Sequence, residues 1–102
     1  MDARRGKPGI GAGRKIIALF DRAAARDFAD VYTLATRFGK SLLLARAAEI
    51  DLGFDLRIFA EMLQTLDRYK DSDIPMPNSN APEIRIFFND WVAELLDKED
   101  PS

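Results

Sequence analysis

Apolar and polar positions follow helical spacing over most of this 102-residue chain, and no stretch alternates them in twos. Ile16, Leu19, Phe20 and Ala23 recur at three- and four-residue intervals, the apolar stripe of a first amphipathic helix. Phe28, Val31, Tyr32, Ala35 and Phe38 mark a second, which Gly39 can close as a C-terminal cap. A third is predicted from about Ser41, a candidate N-cap, to Ile50, with Asp51-Leu52-Gly53 ending it. Asp55 can cap a fourth. Its stripe of Leu56, Phe59, Ala60, Leu63 and Leu66 is the cleanest in the chain, with Glu61, Gln64, Asp67 and Arg68 on the wet side. Residues 71–82 hold three of the five prolines and read as a loop. Pro82 suits the first turn of a fifth helix, whose stripe is Ile84, Phe87, Phe88, Trp91, Val92 and Leu95.

The fold class expected from this pattern is all-α, a compact bundle of about five helices. Four of the six glycines (Gly6, Gly9, Gly11 and Gly13) stand beside Pro8 in the first thirteen residues, so 1–13 is predicted to be a flexible basic arm. Residues 14–97 form the helical domain in this reading, and 98–102 form a tail. The helices share no period that would mark a repeat. Phe87, Phe88 and Trp91 could form a platform for stacked bases, but aromatics at this spacing on an amphipathic helix are expected to be core.

Composition narrows the chemistry. With 47 % hydrophobic and 31 % charged residues the chain fits one small domain with one core. Cysteine and histidine are both absent, which removes disulfides, thiolate nucleophiles, Cys/His zinc sites and histidine proton relays. Chemistry must come from carboxylates, Lys, Arg, Tyr or hydroxyls. The apolar runs Ile16 to Phe20 and Leu42 to Ala45 fall far short of the roughly 20 residues that cross a bilayer, and no secretory signal is visible. No membrane partner and a cytoplasmic location are the expectations. The net charge of −2 conceals an asymmetry: residues 1–15 carry Arg4, Arg5, Lys7, Arg14 and Lys15 against Asp2 alone, and the remainder is net −6. Only the leading arm could attract RNA or DNA strongly, and then without sequence preference. Gly9 to Lys15 has the flavour of a phosphate loop but matches neither G-x-x-x-x-G-K-[ST] nor G-x-G-x-x-G.

The segment from Lys15 to Leu34, KIIALFDRAAARDFADVYTL, carries the candidate site. Lys15 and Arg22 fall two turns apart, so both can point the same way from a face flanking the apolar stripe and grip phosphates. Arg26-Asp27 sits at the junction to the second helix, and Asp30 follows Asp27 by three residues, so both carboxylates share one side of the first turn. A structural reading stands beside this one: Asp27 is a good N-cap, Asp30 favours the helix dipole, and Arg22 and Arg26 are common surface partners.

In residue order and spacing, K-x-x-A-L-x-x-R-x-x-x-R-D-x-x-D-x-Y-x-L resembles the C-terminal motif of the AbiEii/AbiGii nucleotidyltransferase toxins, a branch of the polymerase-β-like nucleotidyltransferases. The likeness runs on through GFDLRIFAEMLQTLDRY to RIFFNDWVAEL, roughly residues 14–97. It implies a C-terminal helical portion that closes over a nucleotide bound by a mixed α/β domain. The complete protein would transfer nucleotides to RNA, plausibly tRNA, with Mg2+ and a nucleoside triphosphate, and would face an antitoxin protein. By the same resemblance Lys15, Arg22 and Arg26 would bind the nucleotide phosphates, and Lys15, Asp27 and Asp30 would serve catalysis, with either acid the essential one. The family's metal motif, a Gly-Ser turn with an Asp-x-Asp pair about ten residues beyond it, is not in this sequence. Phosphoryl-type transfer depends on metal to neutralise the triphosphate. The expectation is therefore an inactive fragment, explained by a truncated gene, a misplaced start codon or a decayed copy, and needing no cofactor of its own. The alternative is a non-catalytic all-α module that binds itself or a partner through leftover apolar surface.

Overall fold

The computed structural model describes residues 10–75 and 80–99, and among them it contains five α-helices and no strand. These are α1 (Ile10–Asp21), α2 (Ala25–Phe38), α3 (Lys40–Ile50), α4 (Leu56–Gln64) and α5 (Ala81–Glu99). Short 3-10 turns, Thr65–Arg68 and Asp71–Asp73, follow α4. The all-α bundle expected from the pattern is the fold. α1 packs on α3, α2 and α4, and α5 lies against α4 and α2.

The stripes point inward as their spacing requires. Ile16, Leu19, Phe28, Val31, Phe59, Ala60 and Ile84 are fully buried, and Leu63, Phe88, Trp91 and Leu95 nearly so. Trp91 and Phe88 are thus core, and Phe87 packs against the core from a half-buried position. The rings form a connected chain: Phe20 on Phe54, Phe54 on Phe59, Phe59 on Trp91, Trp91 on Phe88, Phe88 on Phe28 and Phe28 on Tyr69, at centroid distances of 5.1 to 6.2 Å. That chain ties α1, α2, α4 and α5 together through contacts each worth about 0.5–1.5 kcal/mol beyond area burial.

The helix ends show which residues the chain used to stop and start. Gly39 alone separates α2 from α3. Its φ of 88° and ψ of 149° lie in a region that side chains avoid, and its N–H donates to the Ala35 carbonyl. Gly39 takes the N-cap of α3, so Ser41 lies inside the helix and does not cap it. Gly39→Ala is expected to cost on the order of 1–3 kcal/mol, read as a lower urea midpoint at unchanged slope. Asp55 caps α4 as predicted, with Oδ1 accepting from the N–H groups of Arg57 at 2.8 Å and Ile58 at 3.1 Å.

The first helix begins earlier than the glycines imply. α1 starts at Ile10 and includes Gly11 and Gly13, so the phosphate-loop resemblance of this segment falls on helix. The remainder of the expected arm, residues 1–9, lies outside the described residues. Gly13 is buried against α3, where a Cβ would stand 2.7 Å from the Arg46 Cβ. At this position glycine serves close helix approach. At the other end α5 runs to Glu99, into the expected tail.

Among the described residues no helix is long and apolar enough to cross a membrane.

Candidate functional site

α1 ends at Asp21 and α2 begins at Ala25, so the chain turns a corner within three residues. The turn is made by Ala23 at a φ of +49°, an uncommon conformation for a residue with a Cβ. Its carbonyl accepts a 2.8 Å hydrogen bond from the Tyr69 hydroxyl, which fastens the corner to the segment after α4. The corner therefore presents the end of α1 and the first turn of α2 to each other in one fixed arrangement.

Four of the five predicted site residues meet there. The Lys15 ammonium lies 3.1 Å from Asp30 Oδ2, with both side chains near half exposure. Arg22 Nε donates to Asp27 Oδ2 at 2.8 Å and an Arg22 Nη donates to Oδ1 at 3.0 Å, a two-point clasp. Arg26 is exposed and makes no ion pair among the described residues, so the structure leaves it out of the cluster.

The two acids are not equivalent. Asp27 is fully buried, and its Oδ2 also accepts from the Ala24 N–H at 3.1 Å. It is the third residue of the first turn and not the N-cap, a position taken by Ala24. From there its carboxylate reaches back to an orphan N–H of the helix start. The hydrogen bonds from Arg22 hold its carboxyl below the ordinary value of 3.8; burial opposes this, and the Ala24 N–H and the charges of Arg22 and Lys15 add to it. The same clasp pushes the Arg22 guanidinium further up. Asp30, half exposed beside Lys15, is the acid open to a ligand.

A folded-state value below the unfolded one stabilises the native state at pH above about 4 and is lost as pH falls through the folded value. Asp27→Asn should therefore cost about 1–3 kcal/mol at neutral pH, and its deficit relative to the parent should shrink below about pH 4. Urea unfolding at pH 7 and pH 3 measures both, and equal deficits at the two values would rule out an ionised Asp27 as the source.

The sequence holds one Asp-x-Asp, Asp71-Ser72-Asp73, with no Gly-Ser turn ahead of it. Asp71 accepts from Arg85 Nε at 2.9 Å and Asp73 accepts from the Lys70 N–H at 2.8 Å, so these acids hold the 3-10 turn. Among the described residues no group of three acids could hold a metal ion. Asp27 has both oxygens engaged, and Asp30 carries an ammonium beside it, so the pair does not fit a magnesium site, which needs near-octahedral oxygen ligands.

Sequence reasoning did not place the cleft at the corner. Arg22 and Ala23 face a cleft of about 530 Å³ shared with Glu61, Met62, Thr65, Arg68 and Tyr69. Glu61 on the wet side of α4, with Thr65 and Arg68 four and seven residues further on, was the available signal. No family model matches the chain, and neither the curated proteins nor the solved structures contain a match to it.

Proposed function

We propose that this chain is the helical portion of an AbiEii/AbiGii-like nucleotidyltransferase toxin, with the α1–α2 corner turned toward the triphosphate of a nucleotide. The observation that supports this reading most is the convergence of Lys15, Arg22, Asp27 and Asp30 on that corner in two ion pairs. In this reading Lys15 contacts phosphate from a half-exposed position, and Asp30 holds it until the ligand arrives. Arg22 offers its unclasped N–H groups to a second phosphate oxygen. Asp27 is a positioning residue, since its buried carboxylate fixes Arg22 and the corner. Mg2+ and the chemistry of transfer belong to a domain with the Gly-Ser and Asp-x-Asp motif, and the RNA acceptor and the antitoxin belong to the same reading. The isolated chain is then a nucleotide half-site without activity of its own.

A second reading, an all-α module that pairs with itself or another protein, draws on one observation. Leu52 is 97 % exposed, and Ile50 and Ile58 are also exposed. An open groove of about 370 Å³, lined by Leu44, Phe54 and Leu56 among others, also leaves apolar surface uncovered.

Thermal unfolding with and without nucleoside triphosphate, beside analytical ultracentrifugation, separates the two. A monomer whose Tm rises with triphosphate, and no longer does so after Lys15→Ala, is the outcome expected for the half-site. A tight dimer with no nucleotide-dependent shift would overturn it in favour of the module.

A further inference from the structure

The cleft that Arg22 and Ala23 share with α4 and the turn after it has a chemistry of its own. Arg68 is exposed and lines the cleft, and its side chain makes no hydrogen bond or ion pair among the described residues. Arg22 lines it too, with its guanidinium already oriented by the buried Asp27. The lining also includes Met62, Ala23 and Tyr69, whose hydroxyl is committed to the Ala23 carbonyl. Glu61, on α4, also lines the cleft, and Arg68 stands in the 3-10 turn that follows that helix. The cleft is thus lined by two guanidinium groups, one carboxylate and apolar side chains, with a volume in the range of small-molecule sites.

We infer that this cleft binds a small organic oxyanion, with the anionic group at Arg68 and Arg22 and a planar or apolar body against Met62 and Tyr69. A guanidinium without a side-chain partner, in the same cleft as a second one held by a buried carboxylate, presents forked donors that suit phosphate or carboxylate oxygens. Thr65 Oγ1 donates to the Met62 carbonyl at 2.6 Å, which leaves its oxygen as an acceptor toward the ligand. Glu61 accepts from an N–H or O–H of the body. The site shares Arg22 with the proposed nucleotide contact but contains neither Lys15 nor Asp30, so Arg68 and Lys15 are the residues that tell the two apart.

Phenyl phosphate, benzoate and inorganic phosphate, titrated into the full chain by NMR, test it. The organic anions should shift the amides of Ala23, Met62, Thr65 and Tyr69, and phenyl phosphate should bind at least ten-fold more tightly than inorganic phosphate, which has no body to cover the apolar surface. Arg68→Ala should weaken phenyl phosphate at least ten-fold. Glu61→Gln should tighten it a few-fold, because this probe has no donor for Glu61 and is repelled by its charge. Lys15→Ala should leave it unchanged. Both Arg68 and Glu61 are exposed, so neither variant threatens the fold. Equal affinity for phenyl phosphate and inorganic phosphate, shifts confined to residues outside the cleft, an unaltered affinity in Arg68→Ala, or a loss in Lys15→Ala as large as in Arg68→Ala would each overturn the proposal.

Discussion

Phe59→Ala should destabilise the protein by about 3–5 kcal/mol, a large part of the 5–15 kcal/mol typical of a whole domain. Phe59 is fully buried on α4, and its ring meets Phe54 at 5.3 Å and Trp91 at 5.4 Å. Truncation removes the link between the α3–α4 connection and α5, and it leaves a cavity that rings on both sides are too rigid to fill. Thermal unfolding should show Tm lowered by roughly 15 °C or more. The adjacent Ile58, 46 % exposed, provides the control. Ile58→Ala should lie within about 0.5 kcal/mol of the parent, and equal losses at the two positions would mean that α4 does not present its stripe to the core.

A further effect is expected at Gly13, where two physical terms oppose each other. Alanine is the better helix former by about 1 kcal/mol. The added Cβ, however, would stand 2.7 Å from the Arg46 Cβ, 3.0 Å from the Arg46 carbonyl carbon and 3.0 Å from Ile50 Cδ1. The tip of Ile50 can turn aside, but the Arg46 atoms move only if α3 moves. Overpacking of this kind costs about 1–3 kcal/mol or more, so Gly13→Ala should be net destabilising by about 1–2 kcal/mol. At Gly11 nothing lies within 4 Å of the same added atom. Gly11→Ala should therefore stabilise by about 0.5–1 kcal/mol. Opposite signs two residues apart, measured by urea unfolding, are the expected result; the same sign at both would show that α1 does not approach α3 so closely.

These glycines also mark where the sequence stopped being legible. Glycine read locally means a flexible chain, and that reading placed the start of the fold at Gly13. Glycine in a tertiary contact means two backbones drawn together, a fact held by α3 and invisible from residues 10–13 alone. The later helices were legible because each stripe carries its own period, and Asp55 was legible because a cap acts within three residues. Ser41 was misread for a related reason. It has the chemistry of a cap, but a single residue separates α2 from α3, and only Gly39 can hold the backbone that so short a junction needs.

The candidate site divides in the same way. Helical spacing was enough to bring Lys15, Arg22, Asp27 and Asp30 to one side. It could not match partners or separate the buried acid from the open one, because both depend on the angle at which α2 leaves α1. Ala23 and Tyr69 set that angle, and neither stands out in the sequence as a turn-maker. Arg26 shows the converse, since it sits within the motif and the corner turns it to solvent.

The single tryptophan of the chain lies 1 % exposed at the meeting point of α4 and α5, edge-on to Phe59 and stacked on Phe88. The Lys40 ammonium sits 5.8 Å from its ring centroid, so the start of α3 touches it as well. The protein consequently carries its own optical label, free of any competing indole. Loosening of α3, α4 or α5 would admit water and shift emission to the red, whereas occupation of the α1–α2 corner would leave the colour unchanged, so one fluorescence spectrum distinguishes opening of the bundle from ligand capture at its edge.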